Sequence, residues 1–267
     1  AIRIAETGDP LFITRGLSAT GFFPASLFET GKKISEDHRG KMETSTPEKG
    51  TVWQECSTDN TKIVVNALND ENIQFFATSG HATTKDWQMG YIEPNGQIRC
   101  DNGKLYGIDT NGKKYRIRSE TPKIYVPEGN CLMGHIPERD CMALAWMHSG
   151  GVNQMIGYTV TTWFGYMGRG TAMYLTSPAG RYSLSDAFFF NSQSLLAKLQ
   201  IDYPQFAEVE FNFYEDPGIL GYLAERNGLL QVNEKGEASI LQEPTGLLWD
   251  RDTVAFYGDP AWQARIG

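Results

Sequence analysis

Only four of the 267 residues are histidine and only four are cysteine. The cysteines, Cys56, Cys100, Cys131 and Cys141, form no Cys-x-x-Cys pair, and zinc-site spacing is absent. Nothing supports a Cys56–Cys100 disulfide, so the count leaves the redox compartment open. No apolar run approaches the length of a membrane-spanning helix. No Lys/Arg block relieves a net charge of −8, which makes nucleic acid or an anionic membrane a poor partner. The first residues, AIRIAETGDP, contain no signal-peptide apolar region, and a processed chain would look the same. Solenoid repeats and low-complexity tracts are missing too.

What remains is an ordinary globular composition, 40% hydrophobic and 21% charged, enough for one large α/β domain or two small ones. Residues 1–61 are the least readable. LFIT (11–14) suggests a short strand, and the polar stretch from Glu29 to Gly50 reads as loop or irregular helix. KIVVNAL, from Lys62, suits a strand or the end of a helix. IQFFAT (73–78), KIYVPEG (123–129) and VNQMIGYTV (152–160) read as buried parallel strands. A helix is expected over 138–148, stopped by Gly150-Gly151. Another is capped by Ser183 or Ser185, a third spans about 218–227, and TVAFYGDP (253–260) closes as strand and turn. Asn-Gly pairs at 95–96, 102–103 and 111–112 predict antiparallel hairpins over about 90–120, projecting from the main sheet. Strands alternating with helices point to α/β with a mainly parallel sheet.

Two residues carry chemistry in this arrangement. His81 follows one apolar strand through Ser79-Gly80, and Cys131 follows another through Gly129-Asn130. Functional groups of open α/β sheets collect at the carboxyl ends of strands. A thiol needs a base or a positive neighbour, and an imidazole on the same edge supplies it. Backbone N–H groups at Cys131 and at Ala82, just after His81, are candidates to hold an oxyanion. A lone buried Cys or His is more often inert packing; the shared position at strand ends favours function.

The ordered motifs resemble the gingipain branch of the caspase–gingipain cysteine peptidases. FFATSGHA and IYVPEGNC place His and Cys after successive strands. Trp87 follows His81 by six residues, and Cys131-Leu132-Met133-Gly134 is similar to the family's Cys-x-x-Gly. DCMALAWM, then Thr162-Trp163 with Met167, Gly168 and Gly170, then Phe256-Tyr257-Gly258-Asp259-Pro260, follow in family order over about 62–267. Ala82 stands where the family has Gly, and its N–H preserves the oxyanion role. The resemblance implies a caspase-like three-layer sandwich with a mainly parallel sheet; the small antiparallel β insertion at about 90–120, between the two catalytic strands, departs from the family. It implies an endopeptidase acting through Cys131, His81 and an acyl-enzyme, with Trp163, Thr162 and Trp87 binding substrate. A peptide or protein substrate, an exported location and a propeptide or N-terminal segment outside this chain are further implications. No cofactor is required. Some members carry structural Ca²⁺, but no contiguous Ca²⁺ loop is present here.

Other residues have plainer readings. His135 suits a surface role, His148 the last turn of a helix, and Cys141 mid-helix packing. Asp86 and Glu128 are open between orienting His81 and binding a cationic group. Asp259 suits a turn. The alternatives to an enzyme are an inactive relative that binds a peptide or protein, and a structural domain.

Overall fold

The structure is a computed structural model, and it describes residues 11–19, 23–34, 38–91, 94–177, 179–211 and 220–267. Strands β1 (Leu11–Ile13), β2 (Arg15–Ala19), β3 (Thr30–Ile34), β4 (Lys41–Thr46) and β5 (Gly50–Glu55) come first. Helix α1 (Thr61–Asn69) leads into β6 (Phe75–Thr78). Strands β7 (Asp86–Gln88), β8 (Gln97–Asp101), β9 (Lys104–Ile108) and β10 (Lys114–Arg116) separate β6 from β11 (Lys123–Pro127). Then follow α2 (Met142–Ser149), β12 (Val152–Tyr158), α3 (Tyr166–Thr176), α4 (Leu184–Asp202), α5 (Leu220–Arg226), β13 (Leu230–Val232), β14 (Ala238–Ile240), α6 (Gln242–Thr253), β15 (Val254–Gly258) and β16 (Ala264–Ile266).

The protein is mixed α/β around an eight-stranded sheet of order β15-β12-β11-β6-β2-β3-β4-β5. The five central strands are parallel, and β15, β4 and β5 run antiparallel to their inner neighbours or to each other. The three strands expected to share one parallel sheet, β6, β11 and β12, are adjacent in it. Side-chain alternation divides the core. Leu17, Phe76, Tyr125 and Met155 face α1 and α2, which supply Val64, Leu68, Met142, Ala145 and Trp146. Phe75, Ala77, Ile124, Val126 and Ile156 face α3 and α4, which supply Ala172, Leu175, Leu184 and Ala187.

Four expectations need correction. The stretch from Glu29 to Gly50 is not loop or irregular helix: β3 and β4 lie within it and pair in the main sheet. Its strands sit near a sheet edge, where pairing rather than apolar content holds them. The 90–120 region does form antiparallel hairpins, as β8, β9 and β10, with β7 added from residues before it. Asn102 and Gly103 (φ 50° and 69°) make the tight turn between Asp101 and Lys104. This sheet does not project, however. Ile98, Cys100 and Leu105 pack into the α1–α2 side of the core, so it lies over those helices. Helix α2 starts at Met142, not at 138, because the preceding Asp140 is engaged by Lys85 and the Gly103 N–H. Cys141 therefore occupies the N-cap position, fully buried, instead of mid-helix. Ser183 does cap α4, in a full capping box with Asp186. The expected helix at 218–227 is seen as α5; residues 218 and 219 lie outside the described residues.

Asp250 of α6 ties the end of β12 to the start of α3. It is fully buried; Oδ2 accepts from the Tyr158 hydroxyl (3.1 Å) and the Met167 N–H (2.8 Å), while Oδ1 has no partner. Burial pushes this carboxyl up to about 6. An acid whose folded-state value lies above the unfolded one, near 4, binds more protons folded than unfolded between the two. Its contribution to stability is thus greatest at low pH and is lost as pH rises from about 4 to about 6. Asp250→Asn is expected to flatten the thermal midpoint against pH across that window. A profile as steep as the parent's would place the titration elsewhere.

Candidate active site

Thr78, the last residue of β6, lies opposite Pro127, the last of β11, and the Glu128 N–H extends the ladder to the Thr78 carbonyl at 3.0 Å. His81 and Cys131 follow three and four residues beyond this last pair, so both turns leave the carboxyl-end edge of the sheet side by side. Asn130 joins them. Fully buried, it accepts from the Thr78 hydroxyl at 2.5 Å through Oδ1 and donates to the Gly80 carbonyl at 3.0 Å through Nδ2. The Tyr125 hydroxyl lies 2.8 Å from the same Thr78 oxygen, so the network continues into the core. Gly80 is required where it is: its φ is 117°, and a Cβ would fall 2.7 Å from the carbonyl oxygens of Gln88 and Gly90.

His81 is exposed, and its ring meets the Tyr91 ring edge-on at 5.2 Å. Tyr91 in turn places its hydroxyl 2.8 Å from Ser79 Oγ. Among the described residues no carboxylate bonds His81; Asp86 stands on β7 opposite Arg99. Cys131 is half-buried, and all four cysteines are free thiols. The Thr162 N–H points at its Sγ from 3.3 Å, placed to stabilise negative charge on sulfur. Leu132, next in the chain, is held at φ 57°, a left-handed conformation costing a non-glycine residue roughly 1–2 kcal/mol. Its N–H bonds the Val160 carbonyl and its own carbonyl accepts from His135, which hold the turn. Gly134 packs on the backbone of Gly157 in β12, so the Cys-x-x-Gly spacing has a steric cause.

The two amides expected to hold an oxyanion are left unpaired by the local hydrogen bonding. Ala82 faces Trp87 in an isolated antiparallel bridge. The flanking bonds, Gln88 N–H to His81 carbonyl and Thr83 N–H to Asp86 carbonyl, make this the non-hydrogen-bonded kind of pair, which turns the Ala82 N–H away from the hairpin. The Cys131 N–H likewise bonds no group among the described residues.

Of the three residues expected to bind substrate, Thr162 and Trp163 line one cavity of about 270 Å³ with Ser79, Tyr91, Glu128 and Arg169. Trp163 is 55% exposed. Trp87 is different: it is fully buried, stacks edge-on against Phe76 and donates its indole N–H to the Ser79 carbonyl at 2.8 Å. It supports the His81 turn from beneath and cannot touch a substrate. Glu128 belongs to the same cavity wall. It is 5% exposed, lines the cavity, and keeps Oε2 without a partner. Burial pushes its carboxyl up to about 7, against the pull of the Arg169 charge. His135 lines a separate cavity with Glu208 and Arg251, and His148 is in the last turn of α2. Tyr91, Arg169 and the strained Leu132 were not singled out in the sequence; their neighbours in space come from distant segments.

Asn130→Ala would strand the buried Gly80 carbonyl and loosen both turns. The expected cost is roughly 1–3 kcal/mol, with faster amide exchange at residues 79–82 and 129–132. Parent-like exchange in both turns would show that they are held separately.

No protein-family model, curated protein or solved structure matches the chain.

Proposed function

We propose that this protein is a cysteine endopeptidase of gingipain type on a caspase-like fold. The observation that carries this reading is the Asn130 bridge, which joins two turns bearing a thiol and an imidazole at the ends of neighbouring parallel strands. Such a bridge is hard to explain for two incidental side chains. In the proposed reaction His81 takes the Cys131 proton and the sulfur attacks a peptide carbonyl. The carbonyl oxygen, now anionic, is held by the Cys131 and Ala82 N–H groups. His81 then protonates the leaving amine, and water hydrolyses the thioester. No cofactor enters these steps. An exported setting follows from the same family likeness.

Cys131→Ala is expected to abolish hydrolysis of a mixed peptide library while moving the thermal midpoint little, since a partly exposed thiol contributes little packing. Labelling of Cys131 by a peptidyl thiol probe is expected to disappear in His81→Ala. A parent that neither labels nor cleaves would instead make the crevice a peptide-binding module.

Glu128, buried beside Trp163 with Oε2 unpartnered, suits a cationic side chain in the adjoining pocket. Cleavage after Lys or Arg is expected to exceed cleavage after Met by ~100-fold, a preference largely lost in Glu128→Gln. Only the ionised carboxylate pairs with a cation, so kcat/KM for such substrates is expected to rise with pH through about 7. Equal rates for cationic and neutral peptides would remove Glu128 from recognition without touching the dyad.

A further inference from the structure

At the opposite edge of the sheet, before β11 begins, lies a second cavity of about 390 Å³ that the peptidase reading does not use. Its wall carries Lys104, Arg116, Arg118 and His148, with Ser119, Glu120 and Ser149. The cross-strand register explains the convergence. Arg116 of β10 stands opposite Tyr106 of β9, and Lys104 is two residues from Tyr106, so the side chains share the outer face of the small sheet. Arg118 is tied to Glu120 at 3.1 Å. Lys104, Arg116 and His148 have no side-chain partner among the described residues. Three unpaired cationic or titratable groups around one cavity stand out in a chain of net charge −8.

Beneath the cavity is a fully buried Lys123. Its ammonium donates to Ser119 Oγ at 2.6 Å and to the Thr121 carbonyl at 3.3 Å; no carboxylate bonds it. Ser119 Oγ also accepts from the Thr121 N–H, so both bonds use its oxygen and its own proton stays free to donate. A buried ammonium without a counter-charge is costly, and burial lowers this one to about 8 even with the Asp70 charge acting the other way.

The C-terminal carbonyls of α2 point toward this region and would repel an anion. Several are already occupied: Ala145 and Trp146 accept from the Gly150 N–H, Ala145 also from Ser149 Oγ, and Ser149 from the Ser119 N–H. With Arg118 and Glu120 offsetting each other, the remaining field is that of Lys104 and Arg116.

We propose that this cavity is a binding site for a tetrahedral oxoanion, a phosphate or sulfate group, held by Arg116, Lys104, Arg118 and His148 over the Ser119 hydroxyl. A planar guanidinium suits bidentate bonding to such a group, and the anion supplies the counter-charge that Lys123 lacks.

The test uses the full chain at constant ionic strength, titrated with inorganic phosphate, inorganic sulfate, O-phosphoserine or chloride. The thermal midpoint and the amide spectra of residues 116–120 are followed. Saturable shifts with phosphate or sulfate but not chloride are expected, weakened ~10-fold or more in Arg116→Ala and in Lys104→Ala. Binding of O-phosphoserine would assign the site to an esterified group, and its failure beside a phosphate response to the free ion. Both variants are exposed and should fold as the parent does. If the cations serve only the end of α2, the variants will lose stability equally in every salt, and no anion will give a saturable response. Either result overturns the site.

Discussion

The pairing of Thr78 with Pro127 is the constraint on which the candidate site depends. Two parallel strands in this register end level, so the turns that follow start from the same edge. A shift of one residue would turn every side chain of β11 to the other face. Tyr125 would leave the α1–α2 side, and its hydroxyl would lose Thr78. Asn130 could then no longer reach both Thr78 and Gly80. The core on both faces therefore fixes the register, and the register fixes the distance between the turns. Buried polar atoms that are fully paired specify one arrangement more sharply than apolar packing alone.

How much of this was legible in the sequence followed from how local each cause is. Phe75 and Phe76, or Ile124 and Tyr125, announce strands buried on both faces, because helices cover each side. Asn102-Gly103 announces its turn because few other residues adopt two successive positive φ angles cheaply. Strands β3 and β4 were not legible: their residues are mostly polar, and what makes them strands is a neighbour already in place. Trp87 was misread for a similar reason. Spacing from His81 locates it on the turn, but not on which side of the turn. The indole bond to Ser79 and the contact with Phe76 come from the fold.

The residues of the candidate site show the same division. His81, Cys131, Thr162 and Trp163 could be named because each follows a strand or stands in an ordered motif. Tyr91 and Arg169 could not, since they meet Ser79 and Glu128 only across the crevice. Glu128 was visible as an acid near a cysteine. Its burial, its unpartnered oxygen and its place beside Trp163 are tertiary facts with no trace in the local sequence.

Strand β11 carries both features that set this fold apart from a plain packed sheet. Lys123 opens it, and the Glu128–Cys131 turn follows it; both ends hold polar groups whose charged forms burial disfavours. Four residues, Ile124 to Pro127, at about 3.3 Å each separate them, and every one is buried. Communication along such a strand requires an element with two discrete arrangements that both sites bias. β11 is paired on both sides, to β6 and β12, and packed on both faces, which leaves it one arrangement. The crevice at its carboxyl end and the cationic cavity at its amino end thus stand on one rigid support. Electrostatics offers little further coupling, because the intervening side chains are apolar or, at Tyr125, held by a hydrogen bond to Thr78. What the strand transmits is position, fixed once when the core forms.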